Sequence, residues 1–267
     1  TIDLFTFCAG FDNCVSFYNE EVSNIDFKNK KIITKNKRHS YDYLVVATGS
    51  KTKFPPSVDG LNEYAYGTKS LTRAIEFKQK FELSLLHKIN EHGAHCTPLS
   101  IIIAGAGLSG VEIAAQMASY SKNFYSRNHF LCRKLNIVLV SAGESILVGM
   151  DSKLIEKSQK RLQALGVTIE LNAKVTQVSK NSALLSGGKE IMMDFMIFTG
   201  GIEPSALCTS LSLEKDENSF IKINQFMQTT MQENVFAIGD CATFMTLQKL
   251  PQTADIAEQM GELCAHN

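Results

Sequence analysis

The stretch that decides the fold is Ser100-Ile-Ile-Ile-Ala-Gly-Ala-Gly-Leu-Ser-Gly-Val-Glu112, an apolar run followed by glycines in GxGxxG spacing. Residues 101–104 predict a buried parallel strand, because β-branched residues without polar alternation are typical where both sheet faces are covered. Gly105 permits a tight turn, Gly107 lets the backbone approach a pyrophosphate, and Gly110 lets the next helix pack closely. The stretch therefore predicts a strand, a phosphate-binding turn and a helix. The alternative is a strand-to-helix turn that binds nothing.

Length and composition set broad limits on the fold and on the partners. The 267 residues are 44% hydrophobic, which is enough for a real core and about two domains. Lys plus Arg and Asp plus Glu number 27 each, so bulk charge does not favour nucleic acid as a partner. No apolar run is long enough to span a bilayer, and no secretory leader pattern is found at Thr1.

The seven cysteines are odd in number and scattered, and they include no CxxC pair, which is typical of reduced cytosolic thiols. His92, His95 and Cys96 resemble half of a zinc-ligand set, but no second ligand pair lies at suitable spacing. No metal site is therefore predicted.

Two further strands run into polar turns, at Tyr41-Asp-Tyr-Leu-Val-Val-Ala-Thr-Gly-Ser50 and at Asn234-Val-Phe-Ala-Ile-Gly-Asp-Cys-Ala242. The second delivers Asp240 to the carboxyl end of its strand. Ligands of open α/β sheets bind beyond those ends, so this carboxylate can accept hydrogen bonds from a ligand hydroxyl. Taken alone, it is equally well explained as an ordinary strand-to-turn pattern.

Taken in order, the motifs ATGS, GxGxxGxE and VFAIGD resemble those of the two-dinucleotide-binding flavoproteins, the pyridine nucleotide-disulfide oxidoreductase superfamily. The resemblance covers nearly the whole chain. The stretches 68–76 and 251–261 look most like type II NADH dehydrogenases, single-subunit NADH:quinone oxidoreductases that use FAD and pump no protons. The implied fold class is α/β, with two Rossmann-like dinucleotide-binding domains of the FAD/NAD(P)-binding fold.

The resemblance also implies that the FAD domain is incomplete at its N-terminus. Family members begin with their own GxGxxG turn for FAD, whereas this chain opens at Thr1-Ile-Asp-Leu4. They also continue into a C-terminal segment that rests on the membrane, beyond the position of Asn267. We therefore expect an internal fragment of a longer parent, whose isolated form is expected to hold flavin weakly.

Domain boundaries follow from the motifs. We predict a partial FAD-binding domain with a connecting helix over residues 1–97, an NAD(P)H-binding domain over 98–199, and a return to the FAD-binding domain over 200–267. Local patterns predict a hairpin over 20–35 and helices over 71–89, 151–165 and 253–265. Four short runs predict a small antiparallel layer over the NAD sheet: 167–171, 174–178, 183–185 and 191–198.

Individual residues receive roles from the resemblance. The implied NADH site consists of Gly105, Gly107, Gly110 and Glu112. Glu112 would position the nicotinamide rather than transfer a proton, and the alternative is a first-turn carboxylate favoured by the helix dipole. The remaining implied cofactor-binding residues are Ala47, Thr48, Gly49, Gly201, Gly239 and Asp240. The quinone-side AQxAxQ motif of the family is matched by Ala254, Ala257 and Gln259, with Asp255 where a second glutamine is expected.

Cofactor choice depends on the strand that follows the glycine helix, Asn136-Ile-Val-Leu-Val-Ser-Ala-Gly143. An NAD site usually places an acidic residue at the end of this strand for the ribose 2′-hydroxyl, and here Ser141 stands there. Glu144 can substitute if the turn folds back. No arginine follows the strand, so a clamp for the 2′-phosphate of NADPH is not evident, and NADH is favoured.

The implied activity is hydride transfer from NADH to FAD, followed by electron transfer to a quinone. The implied partners are the quinone and, through a C-terminal segment, the inner face of the cell membrane, where the parent would be peripheral and cytoplasmic; a homodimer is a further expectation. Two alternatives stay open: another NAD(P)H-dependent flavoprotein reductase of disulfide or ferredoxin type, and a non-catalytic nucleotide-binding relative. Thioredoxin-reductase chemistry is disfavoured, because no CxxC occurs between Gly110 and Gly200.

Overall fold

The computed structural model describes residues 3–11, 14–92, 98–127, 135–245 and 251–267. The chain forms two compact units. The central unit is Lys51–Glu203, and the discontinuous unit combines Thr1–Ser50 with Pro204–Asn267. Each unit contains a group of the residues singled out above, so each is described by itself.

The central unit is built on a five-stranded parallel sheet in the order β6-β13-β7-β8-β9. A three-stranded antiparallel sheet, β10-β11-β12, belongs to the same unit. The helices are α2 (Leu61–Tyr64), α3 (Leu71–His92), α4 (Leu108–Arg127) and α5 (Ser152–Ala164). The strands are β6 (Ala65–Gly67), β7 (Leu99–Ala104), β8 (Leu135–Val140), β9 (Val167–Glu170), β10 (Val175–Val178), β11 (Ser182–Leu185), β12 (Glu190–Met192) and β13 (Phe195–Phe198).

Strand β7 is buried on both faces, as its sequence predicts. Ile101 and Ile103 pack into a core that includes Ala114 of α4, whereas Ile102 packs into a second core that includes Val178 of β10. All three isoleucines are 0% exposed. The sheet therefore lies between a helical layer and the antiparallel layer, and the predicted α/β class is confirmed.

Two details of this unit differ from the sequence prediction. The predicted boundary at 97–98 lies inside the central unit, because Phe81 and Leu85 of α3 pack in the same core as Leu99 of β7. The predicted antiparallel layer is also smaller than expected. Residues 191–198 are divided between β12 and β13, and β9 and β13 join the parallel sheet beside β8 and β7.

The discontinuous unit contains the predicted hairpin, in which β1 and β2 pair in antiparallel fashion, and a parallel pair formed by β4 and β16. Its helices are α1 (Leu4–Ala9), α6 (Ala206–Ser210) and α7 (Ala254–His266). Its strands are β1 (Val22–Asp26), β2 (Lys31–Thr34), β3 (Arg38–Ser40), β4 (Leu44–Val46), β15 (Ile221–Ile223), β16 (Val235–Ala237) and β17 (Ala242–Phe244). The chain passes between the units within two short paired strands, β5 (Ser50–Thr52) and β14 (Ile202–Pro204). Because Val46 of β4 is in register with Ala237 of β16, the turns that follow both strands reach the same edge.

Candidate dinucleotide site

The glycine turn after β7 has all three of its carbonyl groups anchored in the protein. The anchors are Thr199 Oγ1 to Gly105 O at 2.9 Å, Leu147 N to Ala106 O at 2.8 Å, and Val111 N to Gly107 O at 3.0 Å. In a trans peptide the C=O and the next N–H point in opposite directions. Because each carbonyl is anchored, the N–H group of the next residue points away from the group that anchors the carbonyl. Together with the first N–H groups of α4, which have no intrahelical acceptor, they form an arrangement suited to an anion.

The three glycines differ in whether the surrounding protein atoms leave room for a side chain. A Cβ built on Gly110 would lie 1.8 Å from Gly105 O, and a Cβ on Gly105, whose φ is +114°, would lie 2.6 Å from Thr199 Oγ1. A Cβ on Gly107 would meet no protein atom within 4 Å. The fold thus requires Gly105 and Gly110, whereas Gly107 faces open space in which an added methyl group would obstruct a ligand. This geometry fits a dinucleotide phosphate.

Glu112 lies on α4 beyond the first helical turn, which contains no acidic residue. The side chain of Glu112 is exposed and borders a cavity of about 550 Å³. Lys69 and Phe77, which lie just before and within α3, line the same cavity. Across the described residues, no hydrogen bond or ion pair holds its carboxylate. The dipole alternative is therefore weakened, and Glu112 has room to contact a ligand.

Ser141 directly follows β8 and is 4% exposed. Its hydroxyl donates to Ser145 O at 2.8 Å and accepts a hydrogen bond from Gly143 N at 3.3 Å. The hydroxyl is thus engaged in closing the turn over residues 141–145, and Glu144 in the same turn is exposed. The Ser141 hydroxyl is therefore engaged within the protein, whereas the side chain of Glu144 is open to solvent.

Gly201 lies in the central unit next to β14. Its carbonyl accepts a hydrogen bond from Lys53 N at 3.1 Å, and a Cβ would meet neighbours only at 3.8 Å or more. Gly201 therefore takes part in backbone pairing and is not required by close packing.

A second polar edge lies in the discontinuous unit, where β4 and β16 end. Ser50 Oγ donates a hydrogen bond to Asp240 Oδ2 at 2.9 Å, which orients the carboxylate at this edge. Gly49 and Gly239 have φ values of +62° and +67°, a region that L side chains seldom adopt. A Cβ on Gly49 would meet no protein atom within 4 Å. An open turn beside an oriented carboxylate fits a ligand that carries hydroxyl groups, such as a flavin nucleotide.

The hydroxyl of Thr48 contacts the buried thiol of Cys208. Thr48 Oγ1 lies 2.9 Å from Cys208 Sγ and accepts a hydrogen bond from Ser205 Oγ at 3.0 Å. Hydrogen bonds from Cys241, Thr48 and Ser205 lower the pKa of the Cys208 thiol, although burial opposes that effect. This network holds the turn that Ala47 begins.

Ala254 and Gln259 both lie on α7 and are exposed. The helix begins next to the second edge, because Gln252 Nε2 just before it donates to Asp240 O at 3.4 Å. Of the apolar residues on α7, Met260 packs in the core of the discontinuous unit, whereas Leu263 is 52% exposed. The predicted apolar stripe on this helix is therefore only partly core.

The structure thus brings Gly105, Gly107 and Gly110 together in the central unit, and it brings the turns that contain Gly49 and Asp240 together in the discontinuous unit. Sequence reasoning missed Thr199 and Leu147 in the central unit and Ser50 in the discontinuous unit. Thr199 directly follows a predicted strand, which is a pattern that could have found it. Leu147 carries no such pattern, because its role depends on a φ of +51° and on its main-chain N–H.

Among the residues that the structure describes, no three His, Cys, Asp or Glu side chains are grouped as metal ligands. His95 and Cys96 lie outside that part of the chain. In the same described ranges, no helix has the length and apolar character needed to cross a bilayer.

Known proteins resemble the chain over nearly its whole length. The family model for pyridine nucleotide-disulphide oxidoreductases matches residues 9–261. The type II NADH:quinone oxidoreductase of Haemophilus influenzae is 28% identical over 250 residues, covering 86% of this chain and 56% of that protein. The demethylphylloquinone reductase NdbB of Synechocystis is 27% identical over 263 residues, covering 95% of this chain and 61% of the relative. The chain spans little more than half the length of these curated relatives.

Solved structures share the fold. A structure of NDH2 from Plasmodium falciparum in complex with NADH has a TM-score of 0.73 at 21% identity, covering 85% of this chain and 50% of that chain. A NAD-dependent persulfide reductase from A. fulgidus has a TM-score of 0.75 at 21% identity, covering 97% of this chain and 46% of that chain. At these identities the likeness shows the fold alone.

Proposed function

Because the chain belongs to the pyridine nucleotide-disulphide oxidoreductase family, we propose that the protein is an FAD-dependent NADH dehydrogenase that reduces a quinone. The observation that carries the proposal is the glycine turn, in which every carbonyl is anchored and the one glycine not required by packing faces open space. The names of the relatives in Haemophilus influenzae and Synechocystis support NADH and a quinone as the substrates.

The central unit binds NADH in this proposal. Main-chain N–H groups of the turn around Gly107 hold the pyrophosphate, and the positive end of the α4 dipole favours its charge. Glu112 positions the nicotinamide end, and Glu144 accepts a hydrogen bond from the adenosine ribose. A carboxylate beside the 2′ position disfavours the extra phosphate of NADPH.

The discontinuous unit holds FAD. Asp240, oriented by Ser50, accepts hydrogen bonds from flavin nucleotide hydroxyl groups, and the open turn at Gly49 lets the backbone approach the ligand. Further contacts in this proposal come from Ala47, Thr48 and Gly239 of the same unit, whereas Gly201 is proposed as a cofactor-binding residue of the central unit. When bound, FAD would supply the redox chemistry between a hydride donor and a quinone. The protein itself contributes binding and orientation, which is the usual division in cofactor enzymes.

Ala254 and Gln259 on α7 contribute to the quinone side. We further propose that the full-length parent protein forms a homodimer and is peripheral at the inner, cytoplasmic face of the cell membrane. Sedimentation of the full-length parent tests both statements: alone it should sediment as a dimer, and with liposomes it should sediment with the lipid, whereas a monomer or a protein left in the supernatant contradicts the respective statement.

The decisive experiment is an absorption spectrum of the longest expressible form of the protein after incubation with FAD and removal of unbound flavin. We expect a flavin spectrum that anaerobic NADH bleaches and that a soluble quinone restores. Asp240→Ala is the matched control, because it is expected to lose flavin without losing NADH binding. A full-length wild-type protein that retains no flavin, or a flavin that NADH leaves oxidised, contradicts the proposal. Bleaching that a disulfide or ferredoxin reverses, but a quinone does not, assigns the other reductase class.

A further inference from the structure

The end of β7 is clamped from both neighbouring strands. Gly105 N donates to Val140 O of β8 at 2.9 Å, and on the other side Gly105 O accepts a hydrogen bond from Thr199 Oγ1, which follows β13, at 2.9 Å. Thr199 N also donates to Ala104 O at 2.8 Å, which continues the sheet ladder by one residue. Gly105 has left that ladder, and within the described chain its carbonyl is reached by the Thr199 hydroxyl, which lies farther, at 3.3 Å, from Ala104 O.

This contact fixes the direction of one peptide plane. With the carbonyl of Gly105 held toward Thr199, the N–H of Ala106 points the opposite way, because the peptide is planar and trans. Ala106 O is held in turn by Leu147 N at 2.8 Å, which directs the N–H of Gly107 in the same manner. Leu147 maintains this contact from a left-handed φ of +51°, a conformation that costs a leucine free energy and persists where the surroundings hold it.

We infer that Thr199 is a positioning residue for the dinucleotide phosphates, acting through the carbonyl of Gly105. The inference rests on the proposed function, because it assumes that the glycine turn binds NADH. Its chemical basis is preorganisation: donors already aimed at an anion lose less freedom on binding than donors that must be ordered first. Thr199 itself would not touch the ligand.

Three substitutions of Thr199 separate the effect of its hydroxyl group from the effect of the rest of its side chain. Thr199→Ser keeps the hydroxyl, Thr199→Ala removes it, and Thr199→Val replaces it with a methyl group of similar size. A carbon atom cannot remain 2.9 Å from the Gly105 oxygen without repulsion, so valine both removes the hydrogen bond and pushes on the turn. Alanine removes the hydrogen bond without that push, and it keeps the test available if the valine variant does not fold.

The measurement is the dissociation constant for NADH, from fluorescence titration of the folded protein, together with the melting temperature of each variant. We expect the alanine and valine variants to bind about 5- to 10-fold more weakly, the factor that corresponds to about one net hydrogen bond. The serine variant is expected to bind like the wild type. With bound FAD, the same variants should raise KM for NADH and leave kcat unchanged.

The outcomes distinguish a failure of the proposed NADH site from a failure of the role inferred for Thr199. A wild-type protein that binds no NADH overturns the proposed function and this inference together. If the wild type binds NADH and Thr199→Ala binds it equally well, only the inference fails. A variant that melts at a lower temperature but keeps its NADH affinity assigns Thr199 a purely structural role. A serine variant as weak as the alanine variant shows that the hydroxyl is not the cause.

Discussion

Substituting Gly107 with alanine tests the NADH site with little risk to the fold. A Cβ at this position meets no protein atom within 4 Å, and its φ lies outside the left-handed range. Alanine also reduces the freedom of the unfolded chain, so we expect the free energy of unfolding to stay the same or rise by about 0.4–1 kcal/mol. The methyl group instead occupies the space through which a phosphate would reach the backbone.

The expected loss in binding follows from one hydrogen bond between a main-chain N–H and a charged phosphate oxygen. Such a bond contributes about 1.5–3 kcal/mol, so the dissociation constant for NADH should rise by about 10- to 150-fold. Fluorescence titration measures the affinity, and a thermal melt of the same sample verifies folding. Gly261→Ala is the matched control, because its Cβ has room, 3.8 Å from Ile238 Cδ1, and it lies in the discontinuous unit. A folded Gly107→Ala variant with wild-type affinity for NADH would refute the assignment of this turn.

Three further predictions follow from neighbouring contacts. Gly110→Ala should lower the free energy of unfolding by about 1–3 kcal/mol, because its Cβ would lie 1.8 Å from a carbonyl oxygen; urea unfolding measures this, and unchanged stability would contradict the packing argument. Glu112→Ala should raise KM for NADH without changing the melting temperature, since no partner within the described chain depends on its carboxylate; an unchanged KM and kcat would remove its positioning role. Ser50→Ala should weaken retention of FAD by about 2- to 10-fold, through loss of one hydrogen bond to Asp240, while NADH binding to the purified protein stays unchanged; equal retention would show that Ser50 does not orient the carboxylate.

The parallel strand at 101–104 and its turn were predictable because their residues act locally. Unbroken β-branched residues require burial on both faces, and the glycine spacing restricts the backbone whatever surrounds it. The hairpin in residues 20–35 and the helix that begins beyond Asp151 follow for the same reason. Asp151 caps that helix by accepting from Lys153 N and Leu154 N, an interaction within four residues of sequence.

The assignment of short strands to sheets was not local. Residues 167–171 and 195–198 are short strand-like runs, as are the strands of the antiparallel layer, and only pairing with β8 and β7 places β9 and β13 in the parallel sheet. The boundary predicted at 97–98 was displaced for a similar reason. Phe81 and Leu85 of α3 pack in the same core as Leu99 of β7, and that contact between separate elements cannot be read from the sequence near residues 97–98.

The sequence by itself determined that the chain is an α/β protein, that a glycine turn follows a buried strand, and which side chains stand at strand ends. These features depend on backbone sterics and on periodicity, which are properties of neighbouring residues. Only the tertiary structure decided that Thr199 and Leu147 hold the carbonyl groups of that turn, and that the hydroxyl of Ser141 closes its own loop instead of facing outward. Those contacts join atoms up to 94 residues apart, and they exist because strand order in the sheet brings distant chain segments within hydrogen-bonding distance.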